Sequence, residues 1–416
     1  MTNLTEWFVD YLFGKSAVIT KETEEKAAAC KQDYMAVTAA GARKNESRWA
    51  EFLKTVPSGP AKLIGCDIST DERTAALING FNAHSLELDD GQRFAMIHLG
   101  ASVISAVHAA GDRFGFTEQA YRRGIIMGYE AACRVAIAMQ PSHKKRGYHA
   151  AGTCGTIGSA VGVAFAMGLD KAQMKRVLTL AAGSSAGMLE IQEQGSEVKP
   201  YNVGRAAMDG LTAAYMGVTD YAVPDDMLGG ERGFIRTFSD AYDAEKLTEE
   251  TGYFEIERIY VKPYASCRHS HSAVEAAIKL HAERDANDLA LVLVETYKLG
   301  VQGHDHTDIQ GIASAKLSTP YAVAAALLHG RADLTAFEPL DPETVNLAQK
   351  VQVIENEALT KECPQKRIAI VTVTYQDGSR KVSRVDYAKG EPENPMTKAE
   401  MEEKERMLFA YTADYR

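Results

Sequence analysis

Between Ala151 and Gly168 the chain reads AGTCGTIGSAVGVAFAMG, and few folds can use such a segment. Small residues run through it, and its glycines weaken a helix by about 1 kcal/mol each relative to alanine. A surface helix gains nothing in exchange for that loss. The pattern therefore predicts a buried helix whose backbone lies in close contact with its neighbours.

The surrounding sequence fits this reading. Over roughly the first 240 residues, helix follows helix. Segment 24–40 is Ala-rich, and 71–87 carries apolar residues at helical spacing. Segment 101–139 holds two further runs, punctuated by Gly111 and by the loop before Thr117. Segments 171–188 and 204–218 continue the series. Near Tyr253 the character changes. IERIYV, LALVLVETY, KVQVIE, RIAIVTVTY and RKVSRVDYA are β-rich. The last two are joined through Asp377-Gly378, a strong hairpin signal. Helical patterns at 270–283, 318–330 and 341–348 lie between the strands, and the tail from Thr397 opens with a capping box completed by Glu400. The expected fold is α+β with two domains. Residues 1–250 form a large all-helical domain, to which a C-terminal helix at 395–416 returns, and residues 251–394 form a smaller α+β domain.

A chain of 416 residues is long enough for two such cores. Its formal net charge of -10 argues against a broad nucleic-acid or anionic-membrane surface, though a basic pocket remains compatible with it. The N-terminus, MTNLTEWFVDYLFG, lacks the basic start and long apolar core of a signal peptide. No window is expected to supply the ~20 apolar residues of a membrane span. The six cysteines are scattered without CxxC pairs, which suits reduced thiols in a cytoplasm.

Four polar clusters interrupt the apolar elements. The first holds Glu87, Asp89, Asp90 and Arg93, followed by His98. Carboxylates this close need solvent, hydrogen bonds or cations, so the stretch is either a solvated helix end capped by Asp90 or an interior network with Arg93. The second, Lys144-Lys145-Arg146-Gly147-Tyr148-His149, leads into the glycine-rich helix. There cationic side chains and helical N–H groups together can seat a carboxylate. Lys144 and Lys145 read as solvated, leaving Tyr148 and His149 as the candidates. In the third, Lys199 precedes a proline and a helix opening. The fourth contains Lys262, Cys267, His269 and His271 at the exit of a strand. Cys267, His269 and His271, with His304 and His306, invite a metal reading. Their spacing does not match the paired ligands of a structural zinc site, so no metal is expected. Nucleotide-binding and serine-hydrolase motifs are absent from the sequence.

Taken in order, these segments resemble the MmgE/PrpD family. HSLELDDGQRFAMIHLGAS, GYHAAGTCGTIGSAVGVAFAMGL, KPYNVGRAAMDG, VKPYASCRHSH, AKLSTPYAVAAALLHG and GEPENPMTKAEMEEK are each similar to a family motif, and together they span nearly the whole chain. The resemblance implies a helical domain with an α+β lid, a homodimer, and chemistry without a metal or organic cofactor on a small polycarboxylate. Carried over by position, it implies a pocket with Glu87, His98, His149, Lys199, Lys262, Cys267 and Tyr321, supported by Asp89 and Asp90. Arg93 and His269 are added as substrate contacts. The chain departs from the family pattern at Glu87, where Asp is usual, and at Gly91, Leu99 and Ala265. Cys267 stands where mammalian decarboxylases of the family carry His.

The chemistry shared by the family breaks a bond next to a carboxylate, which needs a base, an acid and cations for the developing enediolate charge. His149 and His98 have the side-chain type for proton exchange near neutrality. Lys199 and Lys262 can hold carboxylates, and Tyr148 can donate a proton. The leading expectation is a lyase, specifically a dehydratase on a hydroxy di- or tricarboxylate resembling 2-methylcitrate. The alternatives are an epimerase resembling iminodisuccinate epimerase, a cis-aconitate decarboxylase-like enzyme, and a non-catalytic binder of small acids.

Overall fold

The computed structural model describes residues 3–281 and 288–414. The chain divides into two compact units. The first comprises Met1–Ile191, Val198–Ile259 and Glu402–Arg416, and the second comprises Gln192–Glu197 and Tyr260–Met401.

The first unit is helical. Its elements are α1 (Leu4–Ser16), α2 (Lys21–Leu53), α3 (Glu72–His84), α4 (Gly100–Phe114), α5 (Glu118–Met139), α6 (Ser142–Lys145), α7 (Ala150–Met167), α8 (Lys171–Ser184), α9 (Pro200–Met216) and the short α10 (Phe234–Phe238). A two-residue hairpin, β1 (Ala61–Lys62) with β2 (Ser69–Thr70), precedes α3. Side chains set the helix boundaries. Thr20, Asp71 and Thr117 accept from the backbone N–H groups that open α2, α3 and α5, and Asp170 with Gln173 forms a capping box on α8.

Helix α7 is the centre of this unit, buried from Ala150 to Ala166 and packed by α4, α5, α8 and α9. It is long and apolar enough to cross a membrane, contrary to the expectation that no window would be, but its surface is covered by other helices. Its glycines permit the contact. A Cβ added at Gly158 would stand 2.6 Å from Ala132 Cβ and 2.7 Å from the Gly128 carbonyl oxygen. Gly124 and Gly128 of α5 meet the backbone of Gly162 and Gly158 in the same way. On α9, a Cβ at Gly210 would meet the Thr156 carbonyl oxygen at 2.7 Å. The two seams let α5 and α9 approach α7 backbone to backbone.

The second unit contains one four-stranded mixed sheet, ordered β4-β3-β5-β6, from β3 (Leu289–Thr296), β4 (Val351–Glu355), β5 (Ala369–Tyr375) and β6 (Arg380–Val385). β3 and β4 are parallel, and the other pairs are antiparallel. Alternate residues of β5 (Ala369, Val371, Val373 and Tyr375) are buried, the period expected of a strand with one covered face. Among its helices are α11 (His271–His281), α12 (Lys298–Val301), α13 (Ile312–Leu317), α14 (Thr319–His329), α15 (Pro342–Ala348) and α16 (Glu357–Glu362). α11 packs on β5, β6 and α14. The final helix, α17 (Lys398–Asp414), opens on the capping box of Thr397 and Glu400. From Glu402 onward it belongs to the first unit.

Two local expectations are corrected. IERIYV is not a strand: Glu255–Arg258 forms a turn of 3-10 helix. The division also falls after Ile259 rather than at 250. Both follow from one buried network, in which the Glu255 N–H donates to Glu130 at 2.7 Å and Gln92 donates to the Glu255 carboxylate at 2.7 Å. Arg134 completes it, 2.8 Å from Glu130. These contacts hold the segment in the helical unit.

Candidate active site

The segment between α3 and α4 is a loop that behaves like core. Residues 86–93 are all buried, so its polar groups must find internal partners. The Gln92 backbone pairs with Ile97, while its side-chain oxygen accepts from Phe94 N–H at 2.6 Å and Ala95 N–H at 2.8 Å. Lys404, from α17, donates to the Leu88 carbonyl at 3.0 Å and lies 2.6 Å from the Asp33 carboxylate. Glu87 adopts φ +56°, a left-handed conformation uncommon for a residue with a side chain and one that concentrates at functional sites.

This loop and the starts of α7 and α9 assemble a cluster of three imidazoles. His84 ends α3, His98 precedes α4, and His149 is the N-cap residue of α7. The His84 ring lies 4.9 Å from that of His98 and 5.9 Å from that of His149, centroid to centroid. Asp89 links the first two, its Oδ2 lying 2.7 Å from His84 Nδ1 and 3.3 Å from His98 Nδ1. Lys199 pairs with Glu87 beside them.

Hydrogen bonding fixes the protons. Burial alone would raise Asp89, but the two imidazoles outweigh it and hold the carboxyl well below its usual range. Asp89 is therefore an acceptor, and His84 donates to it through Nδ1–H. Burial lowers the His84 pKa despite Asp89, so the ring is neutral, with its lone pair on Nε2. That nitrogen is buried and has no hydrogen-bond partner among the described residues. His98 donates from Nδ1 to the Asp90 carbonyl at 2.8 Å.

His149 has the opposite tautomer. The Asn202 amide donates to the Met188 carbonyl at 3.1 Å and to His149 Nδ1 at 3.3 Å. Burial, followed by Lys199 and the other two imidazoles, holds His149 well below the usual histidine pKa. A neutral ring accepting at Nδ1 carries its hydrogen on Nε2. The cluster thus offers a proton acceptor at His84 and a hydrogen donor at His149, next to the Lys199 cation.

Asp90 has a structural task. Its Oδ1 accepts from Gly100 N–H at 2.9 Å, capping α4, and its Oδ2 accepts from Tyr129 at 2.6 Å. Burial raises its pKa against those hydrogen bonds. Arg93 is buried with its guanidinium 4.9 Å from the Phe94 ring. Tyr148 is not drawn into the imidazole cluster. Its ring stacks on His143 at 5.3 Å and meets Phe238 edge-on.

The other candidates lie in the second unit. Lys262 is fully buried there. Cys267 Sγ lies 3.8 Å from His304 Nε2, and His269 Nδ1 lies 2.7 Å from the Tyr297 hydroxyl. His271 is committed elsewhere, to Arg268 at 2.7 Å and the Ser266 carbonyl at 3.1 Å, which separates it from the Cys267–His269 ligand set. Tyr321 is a core residue rather than the expected substrate contact: its hydroxyl donates to the Ala336 carbonyl at 3.3 Å and accepts from Asp341 N–H at 3.4 Å. Among the described residues, His84, Asp89 and His98 form a group that could hold a metal ion, with ligand atoms within 4.8 Å of one another. In this structure the shared Asp89 carboxylate accounts for that closeness.

Sequence reasoning passed over His84 and Asn202. His84 was within reach, because it opens the same stretch as Asp89. Asn202, three residues after Lys199, carries no signal until α9 places it against His149.

Comparison with known proteins adds to this geometry. A model of the MmgE/PrpD N-terminal domain matches residues 3–247, and one of the MmgE/PrpD C-terminal domain matches residues 264–415. The chain is 26% identical over 391 residues to a cis-aconitate decarboxylase of Aspergillus terreus, covering 86% of this chain and 79% of that protein. It is 21% identical over 355 residues to the Homo sapiens cis-aconitate decarboxylase, covering 82% of this chain and 73% of that protein. With both of its halves matched in order, the chain belongs to the MmgE/PrpD family.

Proposed function

We propose that this protein is a cofactor-independent lyase for a small polycarboxylate, and that its reaction is loss of water from a hydroxy di- or tricarboxylate. The observation that carries the proposal is the pair of neighbouring neutral imidazoles of opposite tautomer, His84 with a lone pair and His149 with an N–H on Nε2. Elimination next to a carboxylate requires both functions at once. His84, backed by Asp89, takes the proton from carbon and becomes an imidazolium stabilised by that carboxylate. His149 Nε2–H, a neutral electrophile, hydrogen-bonds to an oxygen that gains charge. Lys199 leaves Glu87 for the substrate carboxylate and carries the enediolate charge. The enediolate electrons then form the double bond as the carbon–oxygen bond of the hydroxyl group breaks, and the leaving oxygen takes the proton back from His84 and departs as water.

Decarboxylation is the second reading, favoured by the names of the curated relatives. It needs a proton delivered to carbon but no leaving hydroxyl. Proton NMR in heavy water, with citrate, methylcitrate, aconitate, malate, tartrate and iminodisuccinate in turn, separates the two. The proposal expects an alkene resonance to appear from a hydroxy acid. Loss of carbon dioxide from aconitate alone supports the second reading, and α-hydrogen exchange without an alkene indicates an epimerase.

A further inference from the structure

We propose that Cys267 and His304 form an activated thiol pair, a covalent modification site for alkenes conjugated to a carbonyl group. The pair lies within the second unit.

The arrangement is that of a nucleophile, a base and a group that orients the base. Cys267 Sγ is 3.8 Å from His304 Nε2. His304 donates from Nδ1 to the Leu317 carbonyl at 2.9 Å, which leaves the Nε2 lone pair for the sulfur. The ring cannot turn away cheaply, because the His304 carbonyl also accepts from Thr319 N–H at 2.8 Å and fixes the backbone. Fastening this loop to Leu317 needs only Nδ1, so the placement of Nε2 at the thiol is an additional feature. His269 and Tyr297 flank the pair, the His269 ring 5.2 Å from that of His304.

Its surroundings distinguish Cys267 from the other thiols. None of the six cysteines is in a disulfide. Cys30, Cys133 and Cys154 are buried, and burial raises each of their thiols. Cys267 is half-buried, so an electrophile can reach it. In the step, His304 Nε2 accepts the thiol proton and the thiolate adds to the β-carbon, forming a C–S bond as the alkene π pair moves toward the carbonyl. The His304 imidazolium returns its proton at the α-carbon. The thiol has added across the double bond, with no leaving group and no oxidant.

The test treats the full chain with N-ethylmaleimide at limiting concentration and follows each cysteine by peptide mass spectrometry between pH 6.5 and 8.5. A thiol with the ordinary pKa of about 8.5 is roughly 1% thiolate at pH 6.5, so its rate falls about fifty-fold over that span. Cys267 is expected to be labelled first and to lose less than ten-fold. His304→Asn keeps a donor for Leu317 but removes the base, and should restore the steep fall at Cys267. Cys267→Ala should abolish the early adduct while leaving the labelling of Cys66 and Cys363 unchanged. The proposal is overturned if Cys267 reacts no faster than Cys66 and Cys363 at pH 6.5, or if His304→Asn leaves its pH profile as it was.

Discussion

Replacing Gly158 with alanine tests the close contact between α5 and α7. By helix propensity alone the change should stabilise the protein by about 1 kcal/mol. The structure predicts the opposite. Carbon atoms in contact rest about 3.5–4.0 Å apart, whereas the new Cβ would stand 2.6 Å from Ala132 Cβ and 2.7 Å from the Gly128 carbonyl oxygen. Neither neighbour has a side-chain torsion to rotate away, so the helices must part by about 1 Å along the seam of Gly124, Gly128, Gly158 and Gly162. Overpacking of this kind costs about 1–3 kcal/mol. At the rigid end of that range, less the propensity gain, the net loss is about 2 kcal/mol, or about 4–8 °C in Tm. Gly183, exposed in α8, is the control, because an added Cβ there meets nothing within 4 Å. Thermal unfolding followed by circular dichroism should show Gly158→Ala below and Gly183→Ala at or above the wild-type midpoint. If Gly158→Ala melts at or above wild type, the packing argument is wrong.

Four other outcomes are expected. His84→Gln and His149→Phe should each lower kcat by ~10²–10⁴, while Lys199→Met should mainly raise KM, all measured on the substrate identified by NMR. Lys404→Met leaves Asp33 as a buried carboxylate without its cation and should cost about 3–5 kcal/mol in urea unfolding. Burial, only partly opposed by the Phe238 carbonyl, lowers the His143 pKa from 6.5 to about 4. The unfolded chain therefore binds the proton first as pH falls, and stability is lost from pH 6.5 downward by about 2–3 kcal/mol. His143→Gln should flatten that slope, though not abolish it, because His84 and His149 are lowered in the same direction. Light scattering should report about twice the 45.3 kDa chain mass, as the family resemblance implies, and a concentration-independent monomer would contradict it.

Where the sequence was legible, one physical cause dominated. The glycines of α7 have no use on a surface, so their burial and close contacts could be read directly, and the strands of the sheet announced themselves by alternation and by Asp377-Gly378. IERIYV misled because its apolar residues fit either a strand or a short helical turn. What decided the matter was Glu255 reaching Glu130, more than a hundred residues away. The site divided along similar lines. His98, His149, Lys199 and Glu87 stood out as polar groups interrupting apolar runs. The proton assignment did not, since the His149 tautomer depends on Asn202 and that of His84 on Asp89, and neither partner is marked by residue type alone. Tyr148 and Tyr321 were overvalued for a related reason. A phenol can donate a proton anywhere in a sequence, but in the fold one stacks on His143 and the other is held by Ala336 and Asp341.

The contact of Lys404 with the Leu88 carbonyl spans 316 positions. A ribosome adding about 5–20 residues per second needs roughly 15–60 s to cover that distance. During this interval Asp33 lacks the Lys404 cation and the Leu88 carbonyl lacks its donor, although α2, α3 and then the Lys199 that pairs with Glu87 have already emerged. The nascent chain must therefore keep the Asp33 carboxylate hydrated until α17 is made and supplies Lys404. Stalled or truncated products that end before this helix would be expected to hold their early helices while remaining open at the loop, and to be recognised by proteases there first.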